Sequence, residues 1–342
     1  MVRKNLDAPR GRVDVRWHDS TVLRGNALGD PHRREVAVYL PPTYDDEPQR
    51  RFPVLFDLAA FTSSGLAHIG WKNFQENLPE RLDRLRAEGV IGDMIVVFPD
   101  AFTSLGGNQY VNSSAVGNYA DYLVAELVPT IDDTYRTLPG ARHRGVFGKS
   151  SGGYAALMHG MQYPDTWGAV ACHSGDLYFE FGLRRDLPIL LDVLARYDRS
   201  VPQFLQAFRS SVKPRGEEIH ALMLIAMAAS YDPDPTAELG FHLPLDLYTG
   251  ELDEERWQRW LRFDPIECVA DHVAALEQLR LLYVECGSRD QYYLHYGARI
   301  LHKRLEALGV RHQYVEFDDN HSGIDYRLDE SLPLLYRAVA PE

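Results

Sequence analysis

The feature that most constrains this sequence is a Gly-x-Ser-x-Gly pentapeptide, Gly148–Gly152, which follows a short apolar run and precedes small residues. A serine at such a strand-to-helix turn is held in a strained backbone conformation, with its hydroxyl exposed above a sheet. Glycines are required on both sides, because side chains there would collide with the neighbouring strand and helix. The pattern predicts that Ser150 lies at a tight turn and acts as a nucleophile.

The segment Gly148-Lys149-Ser150 also looks like the end of a phosphate-binding P-loop. The leading glycine of that motif would fall at His143, so the P-loop interpretation fails. Two alternatives stay open at this point. The pentapeptide could belong to an ordinary glycine-rich loop, or to a fold that keeps the turn but has lost its chemistry.

Composition and charge limit the classes of partner and cofactor. A net charge of −13 disfavours nucleic acid and anionic membrane surfaces as partners. The three cysteines have no metal-ligand spacing, the histidines are scattered and no nucleotide fingerprint occurs, so we expect no metal and no cofactor. We find no signal segment and no run long enough to span a membrane. We therefore expect a cytoplasmic protein with reduced thiols.

Apolar runs alternate with helical patterns along most of the chain, which predicts an α/β fold with a mostly parallel central sheet and helices on both faces. The alternation stops after Asp176, and residues 177–261 contain helix-like patches without a convincing strand. We predict a core in two parts, residues 1–176 and 262–342, interrupted by a helical insertion at 177–261. Because the insertion leaves the sheet at the carboxyl end of a strand, we expect a cap over the site. Its apolar residues could instead form extra core or a homodimer interface.

A serine nucleophile needs a base that takes its proton and an acid that orients the base. In an open α/β sheet these groups lie in loops at the carboxyl ends of strands. Two such loops follow Ser150 in the chain, and they contain Asp290 and His321. The order Ser, Asp, His fits this arrangement. The rival acids are Asp318, Asp319 and Glu285, and we favour Asp290.

Stabilising the oxyanion requires two backbone N–H donors. Ser151, the residue after the nucleophile, is expected to provide one. The second is expected from the loop after strand 53–58, where we choose Phe61, with Ala60 and Thr62 as neighbouring candidates. Polar residues of the loops around the turn are the predicted substrate-binding residues: Thr62, Asn108, Tyr110 and Lys149.

Several phrases of the sequence resemble the family described as Putative esterase, which includes esterase D, enterochelin esterase and feruloyl esterases. The phrases are Val38–Tyr44, Pro53–Phe56, Glu126–Asp132, Gly148–Leu157 and Tyr163–Gly168. Asp290 and His321 match the family's acid and base positions. The resemblance implies an α/β-hydrolase fold and a carboxylic ester hydrolase that acts on a small-molecule ester.

The sequence departs from the family pattern at two places. Many members have His-Gly where this chain has Ala59-Ala60, and Met where it has Ser151. The first departure affects the shape of the oxyanion loop but removes no backbone donor. Acyl transfer to an acceptor other than water would use the same triad, and a non-catalytic α/β-hydrolase-fold binding protein is the alternative from another class.

Overall fold

The computed structural model describes residues 8–341 of the chain. The strands are β1 (Arg12–Asp19), β2 (Arg33–Leu40), β3 (Val54–Leu58), β4 (Ile95–Pro99), β5 (Asn112–Ser113), β6 (Gly117–Asn118), β7 (Arg144–Lys149), β8 (Ala169–His173), β9 (Leu281–Gly287) and β10 (Gln313–Phe317).

The helices are α1 (Gly65–Ile69), α2 (Leu78–Ala87), α3 (Tyr119–Asp121), α4 (Val128–Thr134), α5 (Ser151–Gln162), α6 (Phe179–Gly182), α7 (Leu187–Ala195), α8 (Val201–Ser210), α9 (Gly216–Tyr231), α10 (Glu254–Leu261), α11 (Pro265–Cys268), α12 (Val273–Leu276), α13 (Leu294–Ala307) and α14 (Leu328–Val339). A π-helical segment, Tyr122–Leu127, joins α3 to α4, so the three segments form one continuous helix. Within residues 8–341, no helix is both long enough and apolar enough to cross a membrane.

In the described part of the chain, eight strands form one sheet in the order β1-β2-β4-β3-β7-β8-β9-β10. The pairs β1–β2 and β2–β4 are antiparallel, and every later neighbouring pair is parallel. The mostly parallel sheet predicted from the sequence is confirmed. Strands β5 and β6 form a separate hairpin.

The central strands are buried on both faces, as expected for parallel strands covered by helices. Strand β7 shows why. Val146 belongs to the apolar cluster that includes α5, whereas Phe147 belongs to the cluster on the opposite face with residues of α2 and α14. Loops from the carboxyl ends of β3, β7, β8, β9 and β10 therefore meet along one edge of the sheet.

Residues 177–261 contain helices α6 to α10 and no strand of the sheet. The clearest helix-like patterns of the sequence, Leu190–Tyr197, Phe204–Phe208 and Glu217–Ser230, overlap α7, α8 and α9, whereas the short helix α10 lies outside them. Phe204 and Leu224 are fully buried and belong to the same apolar cluster as the residues beneath α5. The segment thus packs onto the sheet layer through a shared core.

Candidate active site

Ser150 lies at the turn between β7 and α5, with φ 57° and ψ −125°. A non-glycine residue with positive φ is strained and persists only when its surroundings enforce it. The flanking glycines allow the neighbouring backbone to pack closely enough to hold Ser150 in this conformation. A Cβ atom on Gly152 would lie 1.9 Å from the carbonyl oxygen of Leu58, and one on Gly148 would lie 2.5 Å from the carbonyl carbon of Gly152. The predicted strand–turn–helix is therefore present, and its tight packing exposes Ser150 at the end of β7.

Asp290 and His321 lie in the loops that follow β9 and β10, and they contact each other directly. The Nδ1 atom of His321 is 2.8 Å from Oδ2 of Asp290. Asp290 is buried, and its Oδ1 atom accepts a hydrogen bond of 2.8 Å from the N–H of Tyr292. The Tyr292 ring packs edge-on against the His321 ring, with centroids 4.8 Å apart. These contacts fix the orientation of the imidazole, and Ser150 and His321 line the same cavity.

The rival acids have other partners. Oε1 of Glu285 is 2.7 Å from Nδ1 of His173. Asp318 is exposed and pairs with Arg289 at 3.2 Å. Asp319 accepts hydrogen bonds from the N–H of Asn320 and the hydroxyl of Tyr326. Among the hydrogen bonds of residues 8–341, none joins these three carboxylates to His321.

The loop after β3, which carries the candidate oxyanion donor, is held in place by two hydrogen bonds. The Tyr110 hydroxyl accepts a hydrogen bond of 2.9 Å from the N–H of Ala59. The carbonyl of Phe61 accepts one of 2.7 Å from Gly107. Phe61 lines the cavity with Ser150. Ser151 opens α5, where the first N–H groups have no partner within the helix and face any negative charge beside Ser150.

The cavity at this edge has a volume of about 480 Å³. Of the four predicted substrate-binding residues, Thr62 and Lys149 line it, whereas Asn108 and Tyr110 are buried outside its lining. Oδ1 of Asn108 accepts a hydrogen bond of 2.6 Å from the N–H of Tyr110. The carbonyl of Tyr110 is 2.9 Å from Nε2 of His159. Tyr110 therefore holds the loop after β3, which carries the candidate oxyanion donor, and Asn108 holds the backbone of Tyr110.

Asp176, which was not among the predicted site residues, lies in the loop after β8 and lines the cavity. Its Oδ2 atom accepts a hydrogen bond of 2.9 Å from the Ser151 hydroxyl, and its Oδ1 atom is 3.5 Å from Oγ of Ser150. The side-chain amide of Gln109 donates to the same Ser151 hydroxyl at 2.9 Å. Burial raises the pKa of Asp176 to about 6, because few donors compensate the loss of water. Its position at the carboxyl end of a strand next to β7 was the available signal.

Within residues 8–341, no group of three or more His, Cys, Asp or Glu side chains is arranged to hold a metal ion. The three cysteines are free thiols.

Comparison with known proteins places the chain in a family. The model of the family described as Putative esterase matches residues 26–328. The chain belongs to this esterase family. An endo-1,4-beta-xylanase/feruloyl esterase of Xylanibacter ruminicola is 24% identical over 195 residues, which cover 54% of this chain and 26% of that protein. The matched region spans 58% of the length of a second curated relative, from Bacillus subtilis.

Solved structures resemble the whole fold. A ferulic acid esterase shares 20% sequence identity at a TM-score of 0.64, covering 96% of this chain and 99% of that one. An S-formylglutathione hydrolase from Agrobacterium tumefaciens shares 15% identity at a TM-score of 0.59, covering 98% of each chain. The α/β-hydrolase fold predicted from the sequence is confirmed for this member of the esterase family.

Proposed function

We propose that this esterase-family protein is a serine carboxylesterase that hydrolyses a small-molecule ester through an acyl-enzyme on Ser150. The observation that carries the proposal is the 2.8 Å contact between His321 and buried Asp290, in a cavity that both His321 and Ser150 line. Family membership supports the reaction class. Two relatives carry feruloyl esterase and S-formylglutathione hydrolase in their names, and these names support ester or thioester substrates.

In the proposed mechanism, Oγ of Ser150 attacks the ester carbonyl while Nε2 of His321 removes the hydroxyl proton. Asp290 holds the proton on Nδ1 and stabilises the imidazolium that forms. The N–H groups of Ser151 and Phe61 bind the oxyanion of the tetrahedral intermediate. His321 then protonates the departing alcohol. Water attacks the acyl-enzyme in the same way, which releases the acid and restores Ser150.

We further propose that residues 177–261 are a cap that shapes the acyl or alcohol site. The support is that this segment contributes apolar side chains to the cavity wall: Leu177, Phe179, Leu183, Ile219 and Met223. Acyl transfer to an acceptor other than water would use the same residues. A panel of esters with added alcohol acceptors separates hydrolysis from transfer by its products.

The central test is covalent labelling by a fluorophosphonate, read by intact mass. The wild-type protein should gain one phosphonyl group, and Ser150→Ala should gain none and lose at least about a thousandfold in ester turnover. Ser63→Ala is the matched control, because it also removes a serine hydroxyl from the cavity wall and should still be labelled. Labelling that persists in Ser150→Ala would assign the nucleophile elsewhere. A wild-type protein that is neither labelled nor active would favour the non-catalytic alternative.

A further inference from the structure

Three polar residues form a row across the central sheet beside Ser150. Lys149 of β7 is the register partner of His173 in β8, and His173 is the register partner of Glu285 in β9. Register partners in parallel strands project to the same face. Two residues earlier, Phe147, Ala171 and Tyr283 form the equivalent row and share one apolar cluster. The polar row therefore lies on that same face, at the carboxyl edge where the cavity opens.

Glu285 is fully buried, and its charge is already compensated. Oε2 accepts hydrogen bonds from the Tyr283 hydroxyl at 2.6 Å and from the Arg327 guanidinium at 2.8 Å. Burial raises the pKa of Glu285, but the hydrogen bonds from His173, Arg327 and Tyr283 outweigh it and leave the pKa lowered. The carboxylate form is thus stabilised by these partners and does not need Lys149.

His173 uses one ring nitrogen for this network. Its Nδ1 atom lies 2.7 Å from Oε1 of Glu285. Its Nε2 atom is buried and has no hydrogen-bond partner within residues 8–341, and the residue lines the cavity. A buried polar atom without a partner is uncommon, and at the wall of a cavity it points to a missing ligand atom.

The other basic side chains of this wall have carboxylate partners. Nζ of Lys72 lies 2.7 Å from Oδ2 of Asp325, and Nδ1 of His68 lies 2.5 Å from Oδ2 of Asp57. Lys149 is half-buried and has no hydrogen-bond or ion-pair partner in the described part of the chain. Burial lowers the pKa of Lys149, and the more distant charges of Asp325 and Asp290 offset this loss of water only in part.

We propose that the ester substrate carries a carboxylate group, which Nζ of Lys149 binds on the α2/α14 side of the cavity. This inference rests on the proposed esterase function and adds its substrate class. A carboxylate would give the desolvated ammonium a charge-assisted partner. Nε2 of His173 lies on the same wall and would gain a partner from a hydrogen-bond donor of the same substrate. The chain's net charge of −13 makes general attraction of anions unfavourable, so the selectivity must come from this local cation.

The test uses two matched pairs of esters, in which a carboxylate is replaced by a neutral carboxamide of similar shape. Monomethyl terephthalate against methyl 4-carbamoylbenzoate places the group on the acyl side. 4-Acetoxybenzoate against 4-acetoxybenzamide places it on the alcohol side. For at least one pair, the wild-type kcat/KM should be higher for the carboxylate than for the carboxamide. The ratio of these two kcat/KM values should fall as salt is added.

Lys149→Met should lower that ratio about tenfold or more, mainly through KM, because it keeps the length of the side chain and removes the charge. Lys149→Arg should retain part of the preference. Lys303→Met removes an exposed lysine outside the cavity and should leave the ratio unchanged. A ratio near one in the wild type, or a ratio equal in the wild type and Lys149→Met, would overturn the inference while the esterase function stands.

A binding measurement tests the carboxylate site at Lys149 independently of the esterase function. Calorimetry of Ser150→Ala with the same two pairs reports affinity without turnover. Tighter binding of a carboxylate, lost in the Ser150→Ala/Lys149→Met double variant, supports the anion site even if ester turnover fails. Equal affinity for carboxylate and carboxamide in both pairs would reject the site whatever the catalytic result.

Discussion

The side-chain hydroxyl of Ser151 donates a hydrogen bond of 2.9 Å to the buried carboxyl group of Asp176. This contact ties the first residue of α5 to the loop after β8. The other oxygen of Asp176 lies 3.5 Å from Oγ of Ser150, so the same carboxyl group borders the nucleophile. The family resemblance of the sequence leads one to expect Met at position 151, and a thioether could not donate this hydrogen bond. The link therefore depends on this chain's own departure from the family pattern.

The raised pKa of Asp176 predicts a pH-dependent loss of stability. An unfolded aspartyl group loses its proton near its ordinary pKa of 3.8, whereas the folded group keeps it until about pH 6. The contribution to stability is thus full below about pH 4, falls between about pH 4 and 6, and is lost above that range. The total is on the order of 3 kcal/mol. Asp176→Asn should remove this component.

The measurement is the free energy of unfolding in denaturant from pH 4 to 8 for both proteins. The difference between wild type and Asp176→Asn should change over pH 4 to 6 and level off above it. Parallel curves for the two proteins would show that Asp176 titrates alike in the folded and unfolded chains.

Asp290→Asn should lower kcat/KM by about a thousandfold or more, because the amide cannot stabilise the imidazolium that forms on His321. Asp318→Asn is the matched control. Its side chain is 86% exposed and should change the rate by less than about twofold. Steady-state kinetics on one activated ester suffice. Greater damage from Asp318→Asn than from Asp290→Asn would reverse the assignment of the acid.

Tyr110→Phe should loosen the oxyanion loop, since it leaves the buried N–H of Ala59 without its acceptor. We expect a loss of about 1–3 kcal/mol in stability. A fall in kcat should accompany it with little change in KM, because the oxyanion forms only during the reaction. Tyr122→Phe is the control, as the Tyr122 hydroxyl is buried without a partner in the described residues. That change should be neutral or slightly stabilising, and equal effects of the two variants would remove Tyr110 from the loop's support.

If residues 177–261 form a cap, substrate preference should depend on Met223, which lines the cavity, and not on Phe204, which is fully buried outside the lining. Met223→Ala enlarges the cavity and should shift preference toward longer or bulkier esters. Phe204→Leu should cost about 1 kcal/mol of stability through poorer packing, with unchanged preference. The readouts are a 4-nitrophenyl ester series from acetate to octanoate and thermal unfolding. If the change in ester preference follows the loss of thermal stability, and not whether the substituted residue lines the cavity, residues 177–261 only support the fold.

The sequence by itself determined the features that depend on local pattern. The apolar run, the flanking glycines and the small residues after Gly152 predict the turn at Ser150, because that geometry is set by neighbours in the chain. The loops of Asp290 and His321 follow from the rule that parallel strands present their carboxyl ends on one edge. The α/β-hydrolase fold was predictable for the same reason, since alternating strands and helices leave few topologies.

Only the tertiary structure decided which polar side chains meet across loops far apart in sequence. The position of Asp176 after a strand end indicated only that it lies near the site, and its hydrogen bond with the Ser151 hydroxyl has no local signal in the chain. The sequence predicted that Tyr110 lines the cavity. In the structure its hydroxyl contacts Ala59, and Tyr110 is not part of the cavity wall. Lys72 forms an ion pair with Asp325, whereas Lys149 has no direct hydrogen-bond or ion-pair partner in the described residues, and that difference depends on distances in space. Pairing, burial and orphaned groups arise from packing, which composition and spacing do not encode.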